Sequence, residues 1–234
     1  MTQISNGIDA GIDLVTHNLG GLAAGKSYLL AGERGAAKTT FVLQFLYQGL
    51  KERKTCALVT NQAPNILIAH AAAMGMDLAP FLKDGRLALY EIARKDSFSC
   101  ADLFHELEAA LAENLPARCA LEGLTESAGP DDAAAGGVSA FLGKLEAMKT
   151  TTFVTMEFPV APAWSSLNAA FESSAAGAFL LKSTPDARVK TFSVGKSGDV
   201  RAAGAEFPFK IEAGRGIVEV LKTNSIKFPR QDEH

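Results

Sequence analysis

The segment Gly32-Glu33-Arg34-Gly35-Ala36-Ala37-Lys38-Thr39 meets the pattern GxxxxGK[ST] at every fixed position except the second glycine, which is Ala37. Such a run suits phosphate chemistry: consecutive backbone N–H groups at a helix start point at phosphate oxygens, and small residues let the ligand approach closely. Lys38 would meet the β- and γ-phosphates of a nucleotide and Thr39 a Mg2+ ion, with Glu33, Arg34, Gly35, Ala36 and Thr40 completing the binding stretch. Alanine at 37 is expected to take α-region angles at the helix start, where its methyl group is tolerated.

A motif of this kind has meaning only between a strand and a helix, and the surrounding pattern supplies both. Residues 27–31 (SYLLA) are a short apolar run, while Phe41, Val42, Phe45 and Leu46 recur at helical spacing behind the loop. The alternation continues: a strand over 55–60, a helix behind Pro64, a strand over 87–92, and a helix over 101–114 that Pro116 ends. A brief apolar run at 119–121, a helical pattern over 138–148 and a β-branched strand over 151–156 follow. Strands alternating with helices predict a mainly parallel sheet with crossovers. After Gly177, runs at 178–182, 189–194, 207–211 and 217–221, separated by turn-forming residues, predict antiparallel strands at one sheet edge. Residues 128–137 (AGPDDAAAGG) read as a loop; one domain over 1–222 with a polar tail at 223–234 is expected.

Bulk properties bound the partners. With 234 residues, 47% hydrophobic and 21% charged, the chain has the makeup of a globular protein. A net charge of −3 lacks the positive field that binding to a phosphate backbone needs, and Asp131 and Asp132 would repel a DNA strand from the 128–137 segment. Cys56, Cys100 and Cys119 form no CxxC pair, which argues against a disulfide framework or zinc site and fits a reducing cytoplasm. No signal-like start or long apolar window occurs, so an unprocessed chain off the membrane is expected. His17, His70 and His105 are not at metal-ligand spacing, and Ser27, Ser99 and Ser139 lack a nucleophile context. Trp164 suits core packing or a partner anchor.

The chain resembles the KaiC/RecA family through most of its length. Gly7-Ile8-Asp9 and Leu19-Gly20-Gly21-Leu22 precede the loop at the family's spacing; Ala73 to Asp77 (AMGMD), Gly123-Leu124-Thr125, Phe207-Pro208-Phe209-Lys210-Ile211 and the 214–218 segment follow in family order. The resemblance implies an α/β, RecA-like P-loop NTPase fold, with a mainly parallel central sheet flanked by helices and antiparallel C-terminal strands. It also implies ATP as ligand, and homo-oligomers that hold nucleotide between subunits.

The sequence departs from the family where hydrolysis is performed. The family carries an acidic pair after the second strand of the core, and here Asn61 and Gln62 stand there. An amide cannot accept a proton, and a positioned carboxylate base is worth about 10²- to 10⁴-fold in rate, so slow or absent turnover is expected. Where the family has an aspartate supporting Mg2+, this chain has Glu122, after a run that Arg118 is expected to interrupt. Glu122, Glu126 and Glu157 are candidate replacement bases near the sheet edge where such folds bind ligands. Lys196, expected in a turn, resembles the basic residue that the family extends into a neighbour's nucleotide. Four readings stay open: a nucleotide-dependent regulatory or assembly protein, a working ATPase that remodels a partner, a nucleotide-free scaffold, and a recombination or repair role.

Overall fold

The computed structural model describes residues 7–92, 100–124, 132–158, 165–186, 188–196 and 203–220. A short ribbon of β1 (Gly7–Ile8) and β2 (Leu22–Ala23) flanks α1 (Asp13–Leu19). Then follow β3 (Ser27–Gly32), α2 (Lys38–Lys51), β4 (Cys56–Thr60), α3 (Pro64–Ala73), α4 (Ala79–Lys83) and β5 (Leu87–Glu91). Helix α5 (Cys100–Asn114), β6 (Arg118–Leu121), α6 (Asp132–Ala147), β7 (Thr151–Glu157) and α7 (Ser165–Ser174) continue the alternation. The last described strands are β8 (Gly177–Ser183), β9 (Lys190–Lys196), β10 (Glu206–Glu212) and β11 (Gly216–Glu219).

The main sheet has nine strands in the order β11-β10-β9-β8-β3-β7-β6-β4-β5. Strands β8, β3, β7, β6, β4 and β5 are parallel, and β9, β10 and β11 are added antiparallel. This is the α/β architecture expected from the alternation and from the RecA-like resemblance. Both faces are covered, and alternate residues of one strand serve opposite cores: Leu30 of β3 joins Phe41, Phe45 and Phe153 beneath α2, while Leu29 joins Phe104, Phe141 and Phe171 beneath α5, α6 and α7. No helix among the described residues is long and apolar enough to cross a membrane.

Two expectations are corrected here. Six of the ten residues read as loop, 132–137, are helix, since α6 begins at Asp132. Alanine's high helix propensity outweighs the two glycines there, and burial of Val138, Phe141, Leu142 and Leu145 supplies the rest. Arg118 does not interrupt β6 but lies within it, paired with Cys56 on one side and Thr151 on the other. It is 2% exposed. Its guanidinium donates to Asp9 O at 2.8 Å, Phe45 O at 3.0 Å and the Glu52 carboxylate at 2.7 Å, so the buried charge is paired and hydrogen-bonded. The missing side chain of Gly49 makes the room: a Cβ there would sit 2.6 Å from Arg118 Cδ.

Helix α2 is also the dock for the C-terminal hairpin. Gln44 Oε1 accepts from Ile217 N–H at 2.7 Å, while its Nε2 donates to Gly11 O and Arg215 O. Asp131, Trp164, Glu126 and the 223–234 tail lie outside the described residues.

Candidate functional site

Strand β3 delivers the loop from the middle of the sheet. Its last residue, Gly32, is packed so closely that a Cβ would lie 2.9 Å from Leu181 O and 3.3 Å from Lys38 Cγ. The loop then turns through an Ala36 N–H to Glu33 O bond of 3.0 Å, with Gly35 at φ 77°. Ala37 departs from expectation: it holds φ 81° and ψ 23°, the left-handed region, and not the α region. The fold sets this angle because the loop must reverse into α2 at that residue. An L-residue there costs about 1–2 kcal/mol that glycine would not incur.

Lys38 Nζ donates to Gly32 O at 2.7 Å and Glu33 O at 3.0 Å, which holds the ammonium along the inside of the loop. Thr39 Oγ1 donates to Glu122 Oε1 at 2.9 Å. Glu122 is 4% exposed, and its N–H continues the β6–β4 ladder by bonding Val59 O, so main-chain pairing fixes where the carboxylate stands. The hydroxyl of Thr40 turns away, 2.9 Å from His70 Nε2 on α3, and burial pushes the His70 imidazole below its usual pKa. Glu33 faces β8, where its carboxylate accepts from Ser183 N–H.

Lys38, Thr39 and Glu122 line a cleft of about 510 Å³ at the C-terminal ends of the parallel strands. Arg34, Lys38, Thr39 and Glu122 share it with Asn61, Gln62 and Glu157. Register explains the last of these: Glu157 is the partner of Gly32 across β3 and β7, and Phe158 N–H extends that ladder to Gly32 O. Its carboxylate meets Arg34 Nε at 3.0 Å. Asn61 and Gln62 occupy the end of β4 with amide side chains, so the two positions offer hydrogen bonds and no base. Thr155 also lines the cleft and was missed from the sequence; its period-2 relation to Glu157 on one strand face was the available signal.

Other candidates fall elsewhere. Lys196 ends β9 instead of lying in a turn, and pairs with Ala178 at the sheet end opposite the loop of its own chain. Its ammonium donates to Glu172 O and Ser173 O at 3.0 and 2.8 Å, satisfying carbonyls at the C-terminus of α7, where the helix dipole favours a cation. Cys56 and Cys119 are buried and free; desolvation pushes the Cys56 thiol up to about 12 and that of Cys119 higher still, so neither is a nucleophile at neutral pH. The Cys100 side chain lies outside the described set.

The donor set fits a nucleotide with Mg2+. A glycine-tight loop, a lysine on its inner side and the hard oxygen pair of Thr39 and Glu122 are what phosphates and a small divalent cation require. Among the described residues no cluster of three or more His, Cys, Asp or Glu could hold a metal ion.

The family model for the KaiC ATPase matches residues 4–225. The chain is 37% identical over 83 residues to the circadian clock oscillator protein KaiC of Synechococcus elongatus, and 34% identical over 83 residues to KaiC 1 of Synechocystis sp.; each alignment spans 35% of this chain and 16% of the relative. Against KaiC of Acaryochloris marina the identity is 26% over 134 residues, 53% of this chain and 25% of the relative. The matched region is thus a quarter or less of the length of these relatives.

Proposed function

This chain belongs to the KaiC ATPase family, and from that premise we propose that it binds ATP with Mg2+ at the Gly32 to Thr39 loop, hydrolyses it slowly or not at all, and uses occupancy to regulate a partner or its own assembly. Membership supports nucleotide binding. The observation that supports the finer reading is the composition of the cleft: Lys38 and the hydrogen-bonded Thr39–Glu122 pair, groups suited to phosphate and metal, share it with the amides of Asn61 and Gln62.

Loop N–H groups and Lys38 would hold the β- and γ-phosphates, and Thr39 with Glu122 would hold the metal, Glu122 through water. Bound Mg2+ would neutralise phosphate charge and orient the terminal group. With amides at 61 and 62, no group there takes the proton of an attacking water, and binding energy acts on conformational or oligomeric equilibria instead. Lys196 contributes only in an oligomer, by exchanging its α7 carbonyls for a neighbour's nucleotide.

A second reading has one observation in its favour. Glu157 lines the same cleft, and as a replacement base it would make the chain a working ATPase.

Titration calorimetry with ATP and Mg2+, with phosphate release followed in the same samples, tests these readings. Binding that Lys38→Ala abolishes, with no appreciable release, is expected; steady release lost in Glu157→Gln would favour the second reading. A folded wild-type chain that binds no nucleotide would leave only a scaffold.

A further inference from the structure

The cleft contains one cation and one carboxylate to which the slow- or non-hydrolysing reading gives no role, and they are partners. Arg34 Nε lies 3.0 Å from Glu157 Oε1. The arginine side chain is 86% exposed and the glutamate 41%. Both line the cavity beside Lys38 and Thr39.

The acids around the loop are already sorted by their contacts. Glu122 is set against Thr39, on the metal side. Glu33 is tied to Ser183 N–H on β8. Glu157 is held by the register of β7 beside the loop, a fixed negative charge in a space meant for phosphate. Its charge opposes a terminal phosphate unless Arg34 stands between them.

An exposed ion pair is weakly held and exchanges partners at little cost. Charge-assisted bonds from a guanidinium fork to phosphate are roughly twice as strong as neutral ones. Resting on the nucleotide-binding reading, we propose that Arg34 is the residue that distinguishes a nucleoside triphosphate from a diphosphate: it leaves the Glu157 carboxylate for the terminal phosphate, and with a diphosphate it stays on Glu157. Glu157 is then a competing anion that sets how much the third phosphate gains.

The test is calorimetric titration with ADP and with a non-hydrolysable ATP analogue, each with Mg2+, on the full chain and on Arg34→Ala, Arg34→Lys, Glu157→Gln and Lys38→Ala. Thermal melts confirm that each variant is folded. Arg34→Ala is expected to weaken the triphosphate analogue about ten- to a hundredfold, the range for one charged hydrogen-bonding group, and ADP by much less. Arg34→Lys recovers part of the loss, because the charge is kept and the planar fork is not. Glu157→Gln tightens the analogue severalfold. Equal weakening of both nucleotides by Arg34→Ala, or none, overturns the proposal. So does a Glu157→Gln variant that loses turnover at unchanged affinity, which makes Glu157 a base. If wild type binds neither nucleotide, the underlying reading fails with it; if Lys38→Ala abolishes binding while Arg34→Ala changes nothing, only this inference fails.

Discussion

At the scale of single residues, Ala37 is where backbone conformation and side chain disagree. The left-handed angles belong to the reversal from loop into α2, and the methyl group is carried there at a cost of about 1–2 kcal/mol. Glycine would remove that cost but add about 0.5–1 kcal/mol of chain entropy to the unfolded state. Ala37→Gly is therefore expected to stabilise the protein by no more than about 1.5 kcal/mol, raising the thermal midpoint by at most about 3–6 °C in a calorimetric scan. A lower midpoint would mean that the loop takes different angles in solution. The pattern of Gly32, Lys38 and Thr39 was legible because small residues and a lysine before a helix have few other uses. The sign of φ at 37 was not, because nothing in an alanine reports the turn it is forced to make.

At the scale of elements, the alternation of apolar runs with helical stripes was enough to place the parallel strands and the antiparallel edge. It did not show α1 or α4, which are short. Nor did it show that Arg118 belongs inside β6, because the groups that engage it, the Asp9 carbonyl and the Glu52 carboxylate, come from distant segments. In the same way, the loop groups could be read in place, whereas the pairing of Arg34 with Glu157 depends on strand register across 123 positions. The room left by Gly49 gives this level its prediction. Alanine improves helix propensity by about 1 kcal/mol but would be driven into the buried guanidinium, and overpacking costs about 1–3 kcal/mol. Gly49→Ala should therefore lower the urea midpoint of unfolding, against the usual effect of this change in a helix; a raised midpoint would show that Arg118 can step aside.

At the scale of the whole molecule, the first helix and the last described strand are tied by His17 and Asn18, both bonded to the Glu219 carboxylate. The hydrogen bond to Glu219 is the main cause that raises the His17 pKa above its ordinary value of 6.5. A raised folded-state value means that the bridge contributes fully below about 6.5 and is lost as pH rises through the folded pKa. His17 is largely exposed, so the contribution is small and screened by salt. His17→Gln is expected to lower the thermal midpoint slightly at pH 5.5 and not at pH 8.5; an equal shift at both would mean that packing and not charge is responsible. The clasp of Gln44 on the C-terminal hairpin has a consequence at this scale too. Little more than one helical turn separates Thr39, in the phosphate loop, from the side chain that holds Ile217. If filling the loop moves α2, the hairpin registers it, and linkage makes the influence mutual: whatever grips the hairpin changes nucleotide affinity by the same factor that nucleotide changes the grip.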